Sequence, residues 1–548
     1  MDKVEQKTCV LHLLFASLLI ASPVCAQEDP LEDLDEYILK SMTEWQVPGL
    51  AVAIVKDDSV VLLKGYGVRE VGKEQLVDAH TVFALGSTTK AFTAAAVAML
   101  VDERKVSWDD PVIKHLPWFK LPDPWVTQQV TIRDLLAHRV AGDIGHPTGR
   151  LSGRPSPDFL TREEVLRRLQ FLELGAPRFR NAFVYCNECY MAAAEIVAAV
   201  SQMSWGEFVE ARMLEPLQMS STTTSAYDLW DAEDVRPCWV CVLRGRTIGA
   251  EDARIENIAM PHVLGEDGPR PIEWLAVEAA GPAGGMNASA HDLVSWLRLL
   301  LGTGVYQGNR LLSIAAVNEM HSPQVIRQPP IWYYPIQYRG ADFTGHFWAY
   351  GFGWAMTDYR GKKVVLHGGG VVGQASSIAL MPEQRLGVAV LSNGQSALPM
   401  ALHFRIFDAY LGAPEEDWSG AIRAGFTYWE TQQRAQEERL AAERARVTVP
   451  PFPLERCLGT YTHRAYGQVE IVGGDRGLVL RLSDQFNWPV EHVRDDKFRV
   501  VFHDGAQSYP EALTFEFDDD GRVTALRLGG PKYERVAPPE QEQQGQGS

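Results

Sequence analysis

Strand-like segments lie at both ends of the first three quarters of this chain, and a helical stretch lies between them. The apolar runs Leu50–Val55 and Val60–Leu63 are separated by Lys56-Asp57-Asp58, which is typical of a hairpin turn. Three later segments are strand-like again: Val364–Leu366, Ser377–Met381 and Val388–Leu391. Because strands flank a helical middle, we expect one antiparallel sheet that is completed by both ends of the domain, with helices packed on it.

A candidate nucleophile stands where the pattern changes from strand to helix. The stretch from Ala91 to Val101 is alanine-rich and apolar on nearly all sides, which predicts a buried helix, and Gly86-Ser87-Thr88-Thr89-Lys90 comes directly before it. The S-x-x-K spacing puts Lys90 one turn after Ser87 on the same helix face. A serine hydroxyl is a poor nucleophile until a base takes its proton, and a desolvated lysine has a lowered pKa and can be that base.

This motif alone is weak, since a chain of this length is expected to contain about one S-x-x-K by chance. The alternative interpretation is an N-capping serine followed by a solvated lysine. The position after Gly86 and before an apolar helix favours the catalytic interpretation, because a helix N-terminus offers N–H groups where an oxyanion forms.

Tyr185-Cys186-Asn187 precedes a second apolar helical pattern. Nearby cations favour the phenolate form of a tyrosine, so Tyr185 could move a proton between Ser87 and a leaving group. The Asn187 amide could orient a substrate carbonyl and bind Lys90. The alternative is a packed tyrosine at a helix start with a capping asparagine.

His367-Gly368-Gly369-Gly370 follows the predicted strand Val364–Leu366. A strand edge without side chains lets a substrate lie against the backbone, and an N–H group there can complete an oxyanion hole. The alternative is an ordinary glycine-rich turn.

Taken together, in this order and spacing, the three motifs resemble those of serine β-lactamases of the class C kind, D,D-peptidases, and the CubicO group of esterases and D-aminopeptidases. The resemblance covers about residues 35–410 and includes Thr131–His138, Ala283–Met286 and Tyr350–Trp354. It implies an α+β fold, an α/β sandwich of the β-lactamase/transpeptidase type with an antiparallel sheet and a helical subdomain.

The resemblance also implies the roles of the motif residues. The implied catalytic residues are Ser87, Lys90, Tyr185 and His367. The implied substrate- and oxyanion-binding residues are Asn187, Gly369 and Gly370, and the oxyanion hole is formed by the backbone N–H groups of Ser87 and Gly370. The implied reaction proceeds through an acyl-enzyme on Ser87 that water releases, and it requires no metal and no organic cofactor.

The third motif departs from the class C pattern, because His367 stands where those β-lactamases carry the lysine of Lys-Thr-Gly. A lysine there is a fixed cation suited to a substrate carboxylate, whereas a histidine can be neutral at pH 7. The expected substrates therefore shift from β-lactams toward esters and D-amino-acid-containing peptides. An alternative from another class is a non-hydrolytic penicillin-binding or sensor protein on the same fold.

Two C-x-x-C pairs raise a third hypothesis, a four-thiolate zinc site formed by Cys186, Cys189, Cys238 and Cys241. The pairs are far apart and neither lies in a glycine- or histidine-rich knuckle. Buried small hydrophobic residues are therefore the preferred interpretation.

The last quarter of the chain has a different pattern. Residues 421–447 are rich in Glu, Arg and Gln, which predicts a solvated helix and linker. Alternating strands with turn signals then predict a small antiparallel β-barrel, similar to the lipocalin-like barrel of some CubicO-group peptidases. The predicted organisation is a β-lactamase-like domain at 29–412, a helical linker at 413–453, a barrel at 454–537 and a disordered tail at 538–548.

The N-terminus predicts export. An apolar run from Cys9 to Ile20 is followed by Val24-Cys25-Ala26, a small-residue cleavage site, so residues 1–26 are predicted to be a signal peptide and the protein secreted or periplasmic. This run is shorter than the ~20 residues that span a bilayer, and no integral membrane span is expected. The net charge of −18 argues against nucleic acid as a partner. The expected partner is a small-molecule or peptide substrate.

Overall fold

A computed structural model describes residues 30–140, 161–172, 179–229, 255–265, 267–274, 277–329, 345–444, 450–474, 477–483, 486–503 and 508–537. The predicted signal peptide, the predicted tail and the second cysteine pair, Cys238 and Cys241, lie outside the described residues.

The main sheet is antiparallel and eight-stranded, and the chain builds it from both of its ends. In chain order, the strands up to residue 392 are β1 (Gly49–Lys56), β2 (Ser59–Gly67), β3 (Val82–Ala84), β4 (His262–Gly265), β5 (Gly268–Pro271), β6 (Asn287–Ser289), β7 (Val305–Tyr306), β8 (Asn309–Arg310), β9 (Val325–Ile326), β10 (Trp348–Tyr350), β11 (Ala355–Tyr359), β12 (Lys362–Val371), β13 (Gln374–Met381) and β14 (Leu386–Ser392). The sheet order is β2-β1-β14-β13-β12-β11-β10-β9, while β3-β6, β4-β5 and β7-β8 form two-stranded sheets. The pairing of β1 with β14 confirms the prediction that early and late strands complete one sheet.

Helices cover both faces of this sheet. In chain order they are α1 (Leu34–Trp45), α2 (Thr89–Asp102), α3 (Val112–His115), α4 (Pro124–Gln129), α5 (Ile132–Leu136), α6 (Arg162–Arg168), α7 (Asn187–Ser201), α8 (Trp205–Val209), α9 (Glu215–Leu217), α10 (Gly281–Gly284), α11 (Ala290–Leu301), α12 (Ile314–Met320), α13 (Leu398–Leu411) and α14 (Trp418–Arg444). None of the helices in the described ranges is long and apolar enough to cross a membrane.

Strand β1 shows how the sheet separates two cores. Successive side chains of a strand point to opposite faces, so Ala51, Ala53 and Val55 pack with the central helical part of the chain. Their neighbours Leu50, Val52 and Ile54 belong to a second core with α1 and α13. A strand buried on both faces reads as an unbroken apolar run, which is the pattern of residues 50–55.

The C-terminal part forms a closed barrel of eight strands. They are β15 (Gly459–His463), β16 (Gly467–Gly474), β17 (Gly477–Ser483), β18 (Phe486–Arg494), β19 (Lys497–His503), β20 (Ser508–Phe517), β21 (Val523–Leu528) and β22 (Lys532–Arg535). Antiparallel pairing of β15 with β22 closes the ring, which confirms the predicted small antiparallel barrel. Buried residues such as Tyr461, Leu480 and Phe515 fill its interior. At the β15–β16 turn, the Arg464 guanidinium lies 4.0 Å from the centroid of the Phe171 ring in the main domain.

Helix α14 differs from the solvated helix predicted for residues 421–447. It begins at Trp418, and Trp418 and Ile422 are fully buried in the second core. These residues are four apart, so they lie on one face of the helix, and this face packs in the second core. From Thr427 to Arg434 the helix is exposed, as its charged composition predicts.

Candidate active site

The turn that carries Ser87 is fixed from two directions. Ser87 lies in the 3₁₀ turn Gly86–Thr88 between β3 and α2, and its side chain is partly exposed. The Ser376 hydroxyl of β13 donates to the Leu85 carbonyl at 2.6 Å. Gly86 packs so closely on β12 that a Cβ atom there would lie 2.6 Å from the Gly370 nitrogen, and its φ of +52° also favours glycine. The turn therefore sets Ser87 directly beside the glycine-rich end of β12.

Lys90 is fully buried one turn further along α2. Its Nζ atom lies 3.1 Å from Ser87 Oγ, 2.8 Å from Asn187 Oδ1 and 2.7 Å from the Ala283 carbonyl oxygen. Burial lowers the pKa of the amine well below its ordinary value, and attraction to Glu188 opposes this only in part. A neutral amine held in this way can donate to Asn187 and Ala283 while its lone pair accepts the proton of the Ser87 hydroxyl.

Tyr185 lies across the same amine, since Lys90 Nζ is 4.6 Å from the centroid of its ring. Burial raises the pKa of the Tyr185 phenol, while a hydrogen bond with Ser87 and the charge of Arg327 lower it by less. The phenolate expected from the sequence is therefore not the resting form. The nearby cations are outweighed by the cost of placing an anion inside protein, and Tyr185 is a neutral phenol at pH 7.

Asn187 is the first residue of α7, and it lies between two cysteines that form a disulfide bond. Cys186 is the N-cap residue, its sulfur accepts the Cys189 N–H at 3.0 Å, and the two cysteines are joined by a disulfide. Both are buried, as expected, but they are bonded to each other rather than packed as free thiols. Zinc binds thiolates, so this pair in its disulfide form cannot serve a four-thiolate site. The described residues contain no cluster of three or more His, Cys, Asp or Glu side chains that could hold a metal ion.

Two hydrogen bonds fix the ring of His367. Its Nδ1 lies 2.7 Å from the Gly368 carbonyl oxygen and its Nε2 lies 2.9 Å from the Tyr350 hydroxyl, so Nδ1–H donates and Nε2 accepts. Burial lowers the pKa of His367 to about 3. The ring is therefore neutral at pH 7, and the third motif carries no fixed cation.

The glycines after His367 form an open strand edge. Strand β11 pairs with β12 only as far as Leu366, whereas β13 continues alongside to Val371. A Cβ atom on Gly369 would lie 1.9 Å from the Leu85 carbonyl oxygen, which explains the need for glycine there. A cleft of about 840 Å³ extends from Ser87 and Tyr185 along this edge to α14. An extended substrate can therefore lie beside backbone groups of β12 within reach of Ser87.

Comparison with known proteins identifies the family to which this chain belongs. The family profile described as Beta-lactamase matches residues 34–410, more than half of the chain. The chain belongs to the beta-lactamase family. A second profile, a domain of unknown function named DUF3471, matches residues 443–546 and so covers the barrel.

Relatives of this beta-lactamase-family chain include hydrolases and penicillin-binding proteins. An unguisins hydrolase from Aspergillus violaceofuscus is 27% identical over 536 residues, which cover 91% of this chain and 88% of that protein. Penicillin-binding protein 4 from Amycolatopsis lactamdurans is 30% identical over 366 residues, which cover 64% of this chain and 82% of that protein. The family and these relatives confirm the prediction of a serine hydrolase.

Solved structures show the same fold. The octameric penicillin-binding protein homologue from Pyrococcus abyssi superposes with a TM-score of 0.56 at 22% identity, covering 91% of this chain and 98% of its own. The D-amino acid amidase from Ochrobactrum anthropi SV3 superposes with a TM-score of 0.52 at 21% identity, covering 69% and 99%. The predicted β-lactamase/transpeptidase-like fold is therefore confirmed for this beta-lactamase-family chain.

Sequence reasoning missed several residues that complete this beta-lactamase-family site. The Ala283 carbonyl and the Tyr350 hydroxyl bind Lys90 and His367, and both residues lie in segments quoted above for the family resemblance. His138 also lies in such a segment, and it binds the backbone on both sides of Tyr185. Its carbonyl oxygen accepts the Val184 N–H at 2.9 Å, and its Nδ1 accepts the Cys186 N–H at 3.0 Å. Arg327 lines the cleft, and no pattern in the sequence singled it out.

Proposed function

We propose that the protein is a secreted hydrolase that cleaves esters or D-amino-acid-containing peptides through an acyl-enzyme on Ser87. The observation that supports this most is the buried amine of Lys90, held 3.1 Å from Ser87 Oγ with a lowered pKa. A base at this distance makes the hydroxyl a nucleophile.

The proton path follows from the positions of three side chains. Lys90 accepts the proton of Ser87 as Oγ attacks the substrate carbonyl. Tyr185, a neutral phenol hydrogen-bonded to Ser87, donates its own proton to the leaving group and recovers one from the charged Lys90. Water then attacks the acyl-enzyme carbonyl and gives a proton to the neutral Lys90. Lys90 and Tyr185 pass a proton to Ser87 Oγ as the acid product leaves.

The negative charge on the carbonyl oxygen requires donors that are in place before the reaction. We assign this role to the backbone N–H groups of Ser87 and Gly370, which the contact between Gly86 and β12 brings to one end of the cleft. Gly369 keeps the strand edge close to the turn, and Asn187 orients the substrate carbonyl as well as Lys90. His367 holds Tyr350 and β12 in place rather than touching the reacting atoms.

The substrate class follows from the third motif. His367 is neutral, so this position lacks the cation that lysine offers to a β-lactam carboxylate. Esters and peptides with an accessible carbonyl therefore fit better than β-lactams. The similarity to an unguisins hydrolase supports a hydrolytic reaction.

A substrate panel on wild type and Ser87→Ala tests this proposal. A p-nitrophenyl ester, a D-alanyl peptide and a cephalosporin are compared, with a fluorophosphonate probe to label the nucleophile. We expect multiple turnovers of an ester or peptide by wild type, and no labelling or turnover by Ser87→Ala. Equal labelling and turnover of the variant would remove Ser87 as the nucleophile.

The same panel separates the non-hydrolytic alternative, which the similarity to penicillin-binding protein 4 and the altered third motif keep open. A penicillin-binding or sensor protein gives stable acylation, or none, without release of product. Multiple turnovers on any ester contradict it.

Secretion is part of the proposal and rests on the predicted signal peptide. The Cys186–Cys189 disulfide supports it, because disulfides persist in oxidising compartments. N-terminal sequencing of protein recovered from the medium or periplasm is expected to begin near Gln27. Recovery of the intact N-terminus in the cytoplasm alone would contradict secretion.

A further inference from the structure

The cleft that begins at Ser87 ends against helix α14. Residues three or four apart share one face of a helix, and α14 turns such a face toward the cleft. The residues of this face that line the cleft are Arg423, Phe426, Thr427 and Glu430. Trp429 of α14 and Trp45, the last residue of α1, line it as well. We call Trp45, Phe426 and Trp429 the distal aromatic wall.

The core holds the distal aromatic wall in place. Trp418 and Ile422, in the preceding turns of α14, are fully buried. The Trp45 indole N–H donates to the Ser419 hydroxyl at 2.9 Å. The rings of Trp45 and Phe426 meet edge to face, with centroids 6.0 Å apart and planes at 74°. Two rings of the wall are therefore oriented before a ligand binds.

The wall leaves apolar surface in contact with water. Trp429 lines the cleft and is still 42% exposed, and Leu264 of β4 lines the same cleft and is also exposed. A ligand that covers this surface gains the free energy of burying it. Because the exposed patch is continuous with the cleft that contains the proposed nucleophile, the occupant that fits it is a part of the substrate.

The charges at this end of the cleft do not favour a charged group. Arg423 contributes a cation, whereas Glu44 and Glu430 contribute carboxylates. A ligand group of either sign therefore meets a like charge as well as an opposite one. An uncharged aromatic ring avoids this conflict, and it packs edge to face or offset against rings that are already oriented.

The path from Ser87 to the wall runs beside the glycine-rich end of β12. Strand β12 continues for five residues, from His367 to Val371, beyond its last pair with β11. At ~3.3 Å per residue, an extended chain of about five residues covers this open edge. The cleft volume of about 840 Å³ lies within the range of roughly 300–1,000 Å³ that holds drug-sized ligands. A short peptide can therefore reach both Ser87 and the wall.

We propose that the distal aromatic wall binds an aromatic side chain of a peptide substrate, a few residues away from the bond that Ser87 cleaves. The matched Beta-lactamase profile ends at residue 410, before α14 begins at Trp418, so most of this subsite is formed by a helix that follows the family domain. This inference deepens the proposed function and rests on it for the position of the scissile bond.

Two peptide series test the inference and show on which side of the scissile bond the aromatic residue lies. For the acyl side, acetyl-X-(Gly)n-D-Ala methyl esters are compared, with X as Phe or Ala and n from 0 to 3. For the leaving-group side, acetyl-D-Ala-(Gly)n-X amides are compared in the same way. The readout is the ratio of kcat/KM for the Phe peptide to that for the Ala peptide of equal length, so that a general loss of activity cancels.

Wild type is expected to prefer the Phe peptide in at least one series. Trp429→Ala is expected to lower that ratio about 5- to 10-fold, the effect of losing one ring contact. The matched control is Tyr428→Ala, which removes a neighbouring aromatic residue that is 61% exposed on the same helix and lies outside the cleft lining. Alanine favours the helix, so both variants should keep α14 folded, and the control should change the ratio less than twofold.

Three results overturn the inference. The first is a wild type that prefers the Phe peptide in neither series. The second is an unchanged ratio in Trp429→Ala. The third is an equal fall in Tyr428→Ala, which would mean that the aromatic character of the exposed helix, rather than the wall inside the cleft, favours the Phe peptide.

A binding measurement keeps this inference separate from the proposed function. Ser87→Ala and Ser87→Ala/Trp429→Ala are each titrated calorimetrically with the Phe and Ala peptides of both series. A preference for a Phe peptide that is larger in Ser87→Ala than in the double variant supports the wall even if Ser87 proves not to be the nucleophile. Equal preferences in the two variants reject the wall even if Ser87-dependent turnover is observed.

Discussion

Gly86 offers a direct test of whether the contact between the Ser87 turn and β12 matters for activity. In Gly86→Ala, the new Cβ atom would lie 2.6 Å from the Gly370 nitrogen and 2.9 Å from the Gly370 carbon and oxygen. These are backbone atoms, so no side-chain rotation relieves the contact. Ordinary van der Waals contact begins at 3.4 Å, so the turn and the strand must separate by about 0.8 Å.

A displacement of this size acts on both stability and catalysis. A non-glycine residue at φ +52° costs about 1–2 kcal/mol, and the overpacked contact adds about 1–3 kcal/mol. Separating the two N–H groups of the proposed oxyanion hole by close to 1 Å is expected to lower kcat about 100-fold.

Gly361→Ala is the matched control for the backbone strain. Gly361 has φ +73°, and nothing lies within 4 Å of the position of its Cβ atom. Both variants should lower the thermal unfolding temperature, but only Gly86→Ala should lower kcat on an ester that wild type turns over. If kcat of Gly86→Ala stays within threefold of kcat of Gly361→Ala, the contact is not needed for catalysis and the reasoning is refuted.

Three further predictions follow from the same geometry. The neutral amine of Lys90 is the active form, so kcat/KM should fall as pH falls through its lowered pKa and should reach its plateau well below pH 10.5. A plateau reached only above pH 10 would contradict the lowered pKa. Lys90→Met, which removes the base, should lower kcat about 10²–10⁴-fold. His138→Leu leaves the Cys186 N–H buried without an acceptor and should destabilise the fold by about 1–3 kcal/mol and lower kcat, whereas His138→Asn keeps an acceptor and tolerates φ +57°. If the two variants had the same kcat and the same melting temperature, the hydrogen bond to His138 would not be needed to hold the backbone around Tyr185 in place. Alkylation of unfolded, unreduced protein should leave Cys186 and Cys189 unmodified, and peptide mass spectrometry checks this.

The parts of the fold that the sequence predicted are those encoded by local patterns. The hairpin of β1 and β2 and the buried helix α2 follow from runs of one period with clear turn signals. Strands β10 and β11 are only three and five residues long, which is too short for a period to be recognised. The buried first turns of α14 were missed because Trp418 precedes the charged run that dominates its composition.

In the candidate site, too, the features set by local spacing were predictable from the sequence, and those set by the tertiary environment were not. S-x-x-K spacing placed Lys90 beside Ser87, since residues three apart share a helix face. The protonation state of Tyr185 depends on how much protein surrounds it, and a sequence does not show that. Arg327 lies 240 positions after Ser87 and directly follows β9, which is placed by sheet pairing that no local pattern encodes.

Burial in the cleft has different consequences for the protonation state of its lysine, histidine and arginine side chains. Burial lowers the pKa of Lys90, His367 and Arg327 alike, because it disfavours every positive charge. The consequence depends on the starting value. Lys90 and His367 have ordinary pKa values of 10.5 and 6.5 and move toward neutrality at physiological pH, whereas the ordinary pKa of an arginine is so high that Arg327 stays charged. Proton transfer from Ser87 needs a neutral base, so Lys90 can take that part while Arg327 keeps its positive charge in the same cleft.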